Sequence, residues 1–503
     1  MTPLEQLLQR SRMFDLFVRV ICDTPHASGN ERGLIDVLAQ WAETCGFEAR
    51  TDKIGNLGIL VPGRGKYTGT KKALLCQCHA DMVPNKLATS SHDFDKDPIQ
   101  VRLVDGWLYG TDTTLGSDNG LGGAAMLAAA EDPKLESAPF VILFTVREET
   151  DMAGTQNLDP FLTFQDQVEL VGGVNLDSEE GETDVFFGCA GGTKIESTFK
   201  NTEADLQTPA SDDFVGFCLN VSGFSGGHSG SEIDKCHQNA ILVAARFLCL
   251  SNGDFVFADG KGGNKQNSIP TDCQLRGFMS PDEFERMTQL LPDFIDTLQG
   301  EIVPADEKFV ITFEPCDLPM ELNSLWSVED SEGLVLFLSL TPNGQLATDQ
   351  LVAYKLPRTS SNLGVLKLTS EECKLTFLVR SSVNTERELT ASKITVLGDL
   401  LGFESVAEEV FPCWQPDPNN QVLLAAEKLW KDAFGCTLQR KVTHGGLECG
   451  ELRKKLGGLQ MISFGGHIVR AHEPDEHANV DSWFRVQAGF KYLLCHLVKE
   501  LGA

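Results

Sequence analysis

The spacing of apolar and polar positions divides this chain into an outer pattern that begins and ends it and a different one between. Apolar residues from Leu4 to Ile21 recur with a helical period, and after the turn-rich CDTPHASGNE a second helix is expected from Glu31 to Cys45. Asn56 to Val61 and the run Leu74 to Met82, LLCQCHADM, read as strands. Phe140 to Val146, FVILFTV, reads as a buried strand, and Val171 to Leu176 as another apolar segment. Between them TTLGSDNGLGGAAMLAAAED continues into a helix whose small residues allow close packing on a sheet. From Phe411 the same rhythm returns: a helix over Val422 to Phe434, a glycine-rich THGGLE loop over Val442 to Glu448, a strand over Leu459 to Phe464, and a last helix within Val480 to Leu501. Such a pattern predicts an open α/β sheet completed by the C-terminal piece.

Residues 212 to 395 follow another order. A strand in FVGFCLNVSG, a helix over His237 to Leu250 and a turn and strand in NSIPTDCQLRGFM come first. A helix opening at Pro281, a strand in KFVITFEP and a helix over Leu325 to Leu340 follow. Strands around Val365 to Leu368 and Leu375 to Val379, then a helix over Glu386 to Gly402, complete it. This predicts an inserted domain of two consecutive α+β sandwiches. The expected organisation is therefore a first domain in two parts, 1–211 and 396–503, with 212–395 inserted.

Composition narrows the partners. A net charge of -30 disfavours a nucleic-acid backbone or an anionic membrane, and no apolar run has the length of a membrane span. The N-terminal helix carries Glu5, Arg10, Arg12 and Asp15, so it lacks the apolar core of a signal peptide, and a cytoplasmic protein is expected. Fifteen cysteines scattered through apolar segments suit reduced thiols rather than a disulfide framework. Asn220-Val221-Ser222 matches a glycosylation acceptor but falls in an expected strand.

The candidate chemistry lies where apolar strands stop. His79 and Asp81 end the LLCQCHADM strand two residues apart, which turns them to one face, and a carboxylate there can orient an imidazole as a metal ligand. Alone, the pair reads equally as a strand-end histidine satisfied by hydrogen bonds. The strand ending at Val146 runs into Arg147-Glu148-Glu149, and that ending at Leu176 into Asp177-Ser178-Glu179-Glu180. Loops at the carboxyl ends of strands are where an open α/β sheet places its chemistry. His79, Asp118, Glu149, Asp177 and His472 thus form a candidate two-metal set, with scattered loop carboxylates as the alternative. Mixed imidazole and carboxylate ligands suit zinc, cobalt or manganese. Cys76 and Cys78 share a strand face and read as core packing. Gly120, Gly122 and Ala125 nominally fit a dinucleotide fingerprint, but a polar turn precedes them where that fingerprint needs a strand.

The motifs CQCHADMVP, TTLGSDNGLG, REET, NLDSEE, GGHSG, NSIP, LVRSS, THGGLECG and AHEPDEH, taken in order, resemble the M20 family of metallopeptidases, and within it the members that cleave aminoacyl-histidine dipeptides. The resemblance implies a zinc-aminopeptidase-like three-layer α/β catalytic domain with an inserted α+β lid. It implies Asp118 as a ligand bridging two divalent cations, zinc by default, with His79 and Asp177 on one and Glu149 and His472 on the other. Glu148 becomes the general base and Asp81 the residue that orients His79. From the lid, His228 of GGHSG is similar to an oxyanion-stabilising histidine, acting in its own chain or in another subunit. Asn267 and Arg380 resemble substrate-binding positions, and Gly445 and Gly446 could present N–H groups to a terminal carboxylate. A helix-capping histidine, a turn asparagine, a solvated arginine and a simple turn are the plain alternatives at these four places. Thr150-Asp151 stands where many members have a small residue and glycine, and His467 and His477 flank His472. The implied activity is a dipeptidase acting on Xaa-His, β-alanyl-histidine included. An N-acyl amino acid amidohydrolase and a non-enzymatic metal or small-molecule binding protein are the alternatives. A lid of this size allows a monomer or a homodimer paired through it.

Overall fold

The computed structural model describes residues 2–201, 214–253, 255–318, 325–352 and 355–502. It divides into two compact units. The first comprises Met1–Gly188, Pro416–Val442 and Leu447–Ala503, and the second Cys189–Gln415 and Thr443–Gly446.

The first unit is built on an eight-stranded sheet. Four of its strands run parallel at the centre, in the order Phe140–Thr145, Lys72–His79, Glu169–Asn175 and Met461–Ser463. Phe140–Thr145 is buried at every position, as a strand covered on both faces must be, and its continuous apolar run is the sequence signature of that situation. Leu57–Val61 pairs antiparallel with it, and Glu48–Thr51 extends that edge.

The Ser117–Glu131 helix is apolar around its whole circumference and buried along most of its length. Its glycines are needed for contact: a Cβ on Gly123 would stand 2.7 Å from the Phe144 ring, and one on Gly122 2.6 Å from the Leu176 carbonyl oxygen. The N-terminal segment departs from the single helix expected over Leu4 to Ile21. Ser11 is extended and its hydroxyl caps a new helix at Phe14 N, so the chain forms Pro3–Arg10, then Arg12–Leu16, which continues as a π-helical turn to Ile21.

The second unit is wider than the expected 212–395. Gly191–Lys200 and Glu404–Phe411 pair with each other, and the former pairs with Glu372–Ser381, which draws both into its sheet. The expected boundary between 211 and 212 lies outside the described residues. The two expected sandwiches share one nine-stranded sheet, because Phe255–Gly262 pairs antiparallel with Pro357–Leu368 and joins their edges. One aromatic-rich core, with Phe217, Phe247, Phe313, Phe337 and Phe377, lies under it. Among the described residues, no helix is long and apolar enough to cross a membrane.

Candidate metal centre

Three parallel strands deliver the first groups to one end of the first unit. His79 is the last residue of its strand, Glu148 and Glu149 lie just beyond Phe140–Thr145, and Asp177 lies just beyond Glu169–Asn175. Asp118 enters from the non-helical turn that leads into the Ser117–Glu131 helix, and His472 from the loop before the final helix.

Asp118 is the centre of the arrangement. Its Oδ1 lies 3.0 Å from His79 Nε2 and its Oδ2 lies 3.2 Å from His472 Nε2. Asp177 Oδ1 is 3.2 Å from His79 Nε2, and Glu149 Oε2 is 3.0 Å from His472 Nε2. Two groups of potential ligand atoms result, His79–Asp118–Asp177 and Asp118–Glu149–His472, with Glu148 in a third group beside His79 and Glu149. All five expected ligands come together. Of His467, His472 and His477 only His472 joins them: His477 stacks on Tyr109 with ring centroids 4.7 Å apart, and His467 meets the Trp107 edge at 5.5 Å.

Asp81 does more than the sequence indicated. His79 Nδ1 is closest to the Asp81 main-chain carbonyl, at 3.0 Å, while the carboxylate Oδ1 is 3.5 Å away. That carboxylate instead accepts the N–H of Glu148 at 3.0 Å, the N–H of Glu149 at 3.2 Å and the Ser28 hydroxyl at 2.8 Å. It therefore fixes the turn that carries both glutamates. Asp151, left open by the sequence, forms an exposed ion pair with Arg147 across that same turn.

The electrostatics describe a site crowded with buried negative charge. Burial pushes the Glu148 carboxyl well above its ordinary pKa, against the opposing pull of His79, and neighbouring Glu149 and Asp177 push it further. Asp177 is pushed up to about 7, first by burial and then, despite the nearby imidazole of His79, by Asp118. Burial would lower His472, but Asp118 and Glu149 hold its imidazole protonated, raising it to about 11. The buried oxygen Glu149 Oε1 has no hydrogen-bond donor among the described residues, and Asp177 Oδ1 faces His79 Nε2 at 3.2 Å. A single carboxylate facing two imidazoles, flanked by further carboxylates of which Glu149 keeps a buried oxygen without a donor, fits a pair of divalent cations.

Sequence reading missed further carboxyls here. Glu179 is half-buried beside Asp118 and His472, and desolvation followed by Asp118 raises its carboxyl well above the usual range. Glu448 is fully buried, and its Oε2 accepts from Gln77 Nε2 at 2.5 Å and Thr145 Oγ1 at 2.7 Å. Glu476 is likewise buried and receives the main-chain N–H groups that precede Asp118. Glu179 belongs to a strand-end carboxylate run that was legible; the other two stand in motifs whose chemistry gave no sign of them.

The lid candidates form a second cluster inside the second unit. His228 pairs with Ser268 in a short antiparallel bridge, and Asn267 O accepts the Ser229 N–H at 2.9 Å, so GGHSG and NSIP lie side by side. A Cβ on Gly230 would stand 2.9 Å from His228 Cε1 and 3.4 Å from Arg380 Cζ, which places Arg380 against the same loop. Burial lowers the Arg380 guanidinium to about 10, and its Nη1 reaches toward His444 O at 3.5 Å. His444, unnoticed in the sequence, is buried and held neutral, its pKa lowered to about 3 by burial and then by Arg380. The Gly445 N–H is engaged by Thr443 Oγ1 at 3.1 Å, so it is not free for the terminal carboxylate the sequence suggested.

Two imidazoles and a set of carboxylates gathered around one shared aspartate, at the carboxyl ends of parallel strands, form candidate sites for two cations of the kind that hydrolases use. Comparison with known proteins places the chain more narrowly. Peptidase family M20/M25/M40 matches residues 75–495, and the chain belongs to that family and is a metallopeptidase. It is 31% identical to the cytosol non-specific dipeptidase of Escherichia coli (strain K12), over 506 residues covering 100% of both chains. The crystal structure of aminoacylhistidine dipeptidase from Vibrio alginolyticus superposes with a TM-score of 0.84 at 28% identity, covering 98% of each chain. A tripeptidase from Staphylococcus aureus shares the fold, with a TM-score of 0.59 at 14% identity over 97% of this chain and 98% of that one.

Proposed function

We propose that this chain is a dinuclear metal-dependent dipeptidase that hydrolyses the peptide bond of dipeptides, Xaa-His and β-alanyl-histidine among them. In this reading the first unit is a zinc-aminopeptidase-like catalytic domain of three layers and the second is its lid. The observation that carries it is the Asp118 carboxylate, whose two oxygens face His79 and His472 separately. His79 and Asp177 would hold one cation, Glu149 and His472 the other, and Asp118 both. Zinc suits this donor set, as do cobalt and manganese. Bound there, the cations would supply Lewis acidity toward a carbonyl oxygen and make water acidic near neutral pH.

The protein's own groups then have distinct tasks. Glu148, made a stronger base by burial and by its carboxylate neighbours, takes the proton from water and returns it to the departing amine. Asp81 holds Glu148 and Glu149 at that turn through their N–H groups. From the second unit, Arg380 offers a two-pronged donor for the free carboxylate of a dipeptide, Gly446 an N–H for the same group, and Asn267 a further contact. His228 donates to the oxygen that becomes negative as the carbonyl is attacked.

The names of the two relatives differ in breadth, one non-specific and one for aminoacyl-histidine, so substrate range is tested directly. Product release is measured from β-alanyl-histidine, alanyl-histidine, alanyl-alanine and N-acetyl-alanyl-histidine, using protein of defined metal content. Fast cleavage of the free histidine dipeptides with little attack on the acetylated one supports the proposal. Cleavage of the acetylated compound alone would make the protein an amidohydrolase instead.

A further inference from the structure

Glu476 is 2% exposed and makes more hydrogen bonds through its carboxylate than any ligand candidate does. Its Oε2 accepts the main-chain N–H of Leu115 at 2.8 Å and of Gly116 at 3.1 Å. Its Oε1 accepts the N–H of Ser117 at 2.8 Å, the Ser117 hydroxyl at 2.5 Å and the N–H of Asp118 at 3.4 Å. Five donors from four consecutive residues end on one side chain. Four of the five are main-chain N–H groups of the turn that leads into the Ser117–Glu131 helix, where Gly116 is in the left-handed region at φ +70° and Asp118 and Asn119 have non-helical backbone angles. A carboxylate from the far end of the chain thus holds the turn that carries Asp118.

Glu476 belongs to the same loop as His472. Within that loop Glu473 N–H donates to Arg470 O at 3.1 Å, and Glu476 N–H donates to Glu473 O at 2.9 Å. His472 itself has φ +69°, a conformation that a non-glycine residue holds only when its surroundings impose it. Outside the loop, Asn85 Nδ2 donates to His472 O at 3.0 Å, and Glu476 supplies a further attachment through its carboxylate. By contrast His79 and Asp177 are set by parallel strands, and Asp177 N–H is further tied to Asn175 Oδ1 at 3.1 Å. His79 and Asp177 therefore stand on the sheet, while His472 depends on its loop being held in register with the Asp118 turn.

We propose that Glu476 is a positioning residue for the second cation: by clamping the Leu115–Asp118 segment to the His472 loop, it sets the distance between Asp118 and His472 and so the affinity of the group they share with Glu149. This rests on the two-cation reading above. Glu476→Gln preserves volume but turns an amide N–H toward main-chain N–H groups, which removes part of the clamp and opposes the rest. Ser117→Ala deletes only the 2.5 Å hydroxyl bond.

The test titrates cation-free full-length protein with cobalt(II) alone, following its absorption band and the ions bound per chain. Wild type takes up two ions in two resolvable steps. In Glu476→Gln the weaker step loses at least tenfold in affinity while the tighter step stays within threefold, and in Ser117→Ala the weaker step loses about threefold. Equal loss at both steps, or unchanged affinities with a lowered Tm, overturns the proposal, since either makes Glu476 a support of the fold only. If Glu476→Gln does not fold, Ser117→Ala carries the test, and an unchanged weaker step overturns the proposal. Wild type that binds fewer than two ions defeats the two-cation reading itself, which keeps the two failures apart.

Discussion

The Glu148 main-chain N–H donates to Asp81 Oδ1 at 3.0 Å, so the residue proposed as general base is aimed by a carboxylate from a neighbouring strand end. The other oxygen of Asp81 takes the next N–H, that of Glu149, together with the Ser28 hydroxyl. Burial would raise the Asp81 carboxyl, but His79, Ser28 and the Glu148 N–H outweigh it and keep it ionised. Asp81→Asn places an amide N–H where main-chain donors already point. The expected outcome is a kcat lower by about 10²-fold with both cations still bound, the scale on which a displaced catalytic group acts. Steady-state kinetics with metal analysis check it, and a kcat within twofold of wild type would count against this role.

Glu148→Gln separates holding cations from moving protons. Glu148 sits beside the two main ligand groups and is not shared by them. The variant is expected to bind both cations and to lose about 10³-fold in turnover, within the range for general acid–base catalysis. Near-wild-type turnover would remove Glu148 from the mechanism.

Stability against pH follows from the buried carboxyls. Burial raises Glu448 to about 7, with the Gln77 and Thr145 donors only partly offsetting it, and Asp177 rises to about 7 for the same first reason. A carboxyl with a raised folded pKa binds its proton more tightly in the folded state. Its contribution is therefore complete below the unfolded value near 4.5 and disappears as pH rises through 7. Cation-free protein is expected to show a Tm that falls between pH 5 and pH 8, with each such group contributing up to about 1.4 kcal/mol per pH unit. Glu448→Gln should flatten the profile. A Tm that climbs over this interval would show that these carboxyls are ionised throughout.

Arg380 is the lid residue with the clearest chemical signature, a buried guanidinium whose Nε has no hydrogen-bond partner among the described residues. Arg380→Lys keeps a charge but loses the planar fork. KM for alanyl-histidine is expected to rise at least tenfold, while the slow hydrolysis of alanyl-histidinamide stays unchanged. Equal effects on both substrates would mean that Arg380 does not read the free carboxylate.

Much of the site was legible because strand ends announce themselves. A continuous apolar run closed by His79, by Glu148-Glu149 or by Asp177 marks both a buried strand and the polar group at its mouth. Glu476 gave no such sign, since its partners are main-chain N–H groups, which every sequence has. Glu448 was hidden by distance: Gln77 and Thr145, which surround it, lie 371 and 303 residues earlier in the chain. The edges of the second unit were misplaced for a related reason. Neither Gly191–Lys200 nor Glu404–Phe411 is read as a strand from the sequence, and pairing between distant segments leaves little local trace.

The most direct test of the account is the rate of alanyl-histidine hydrolysis measured while zinc is added back to cation-free protein. The expected result is no turnover without zinc and a rate that reaches its plateau at two ions per chain. Turnover that survives cation removal, or a plateau at one ion, would contradict a dinuclear dipeptidase built on Asp118.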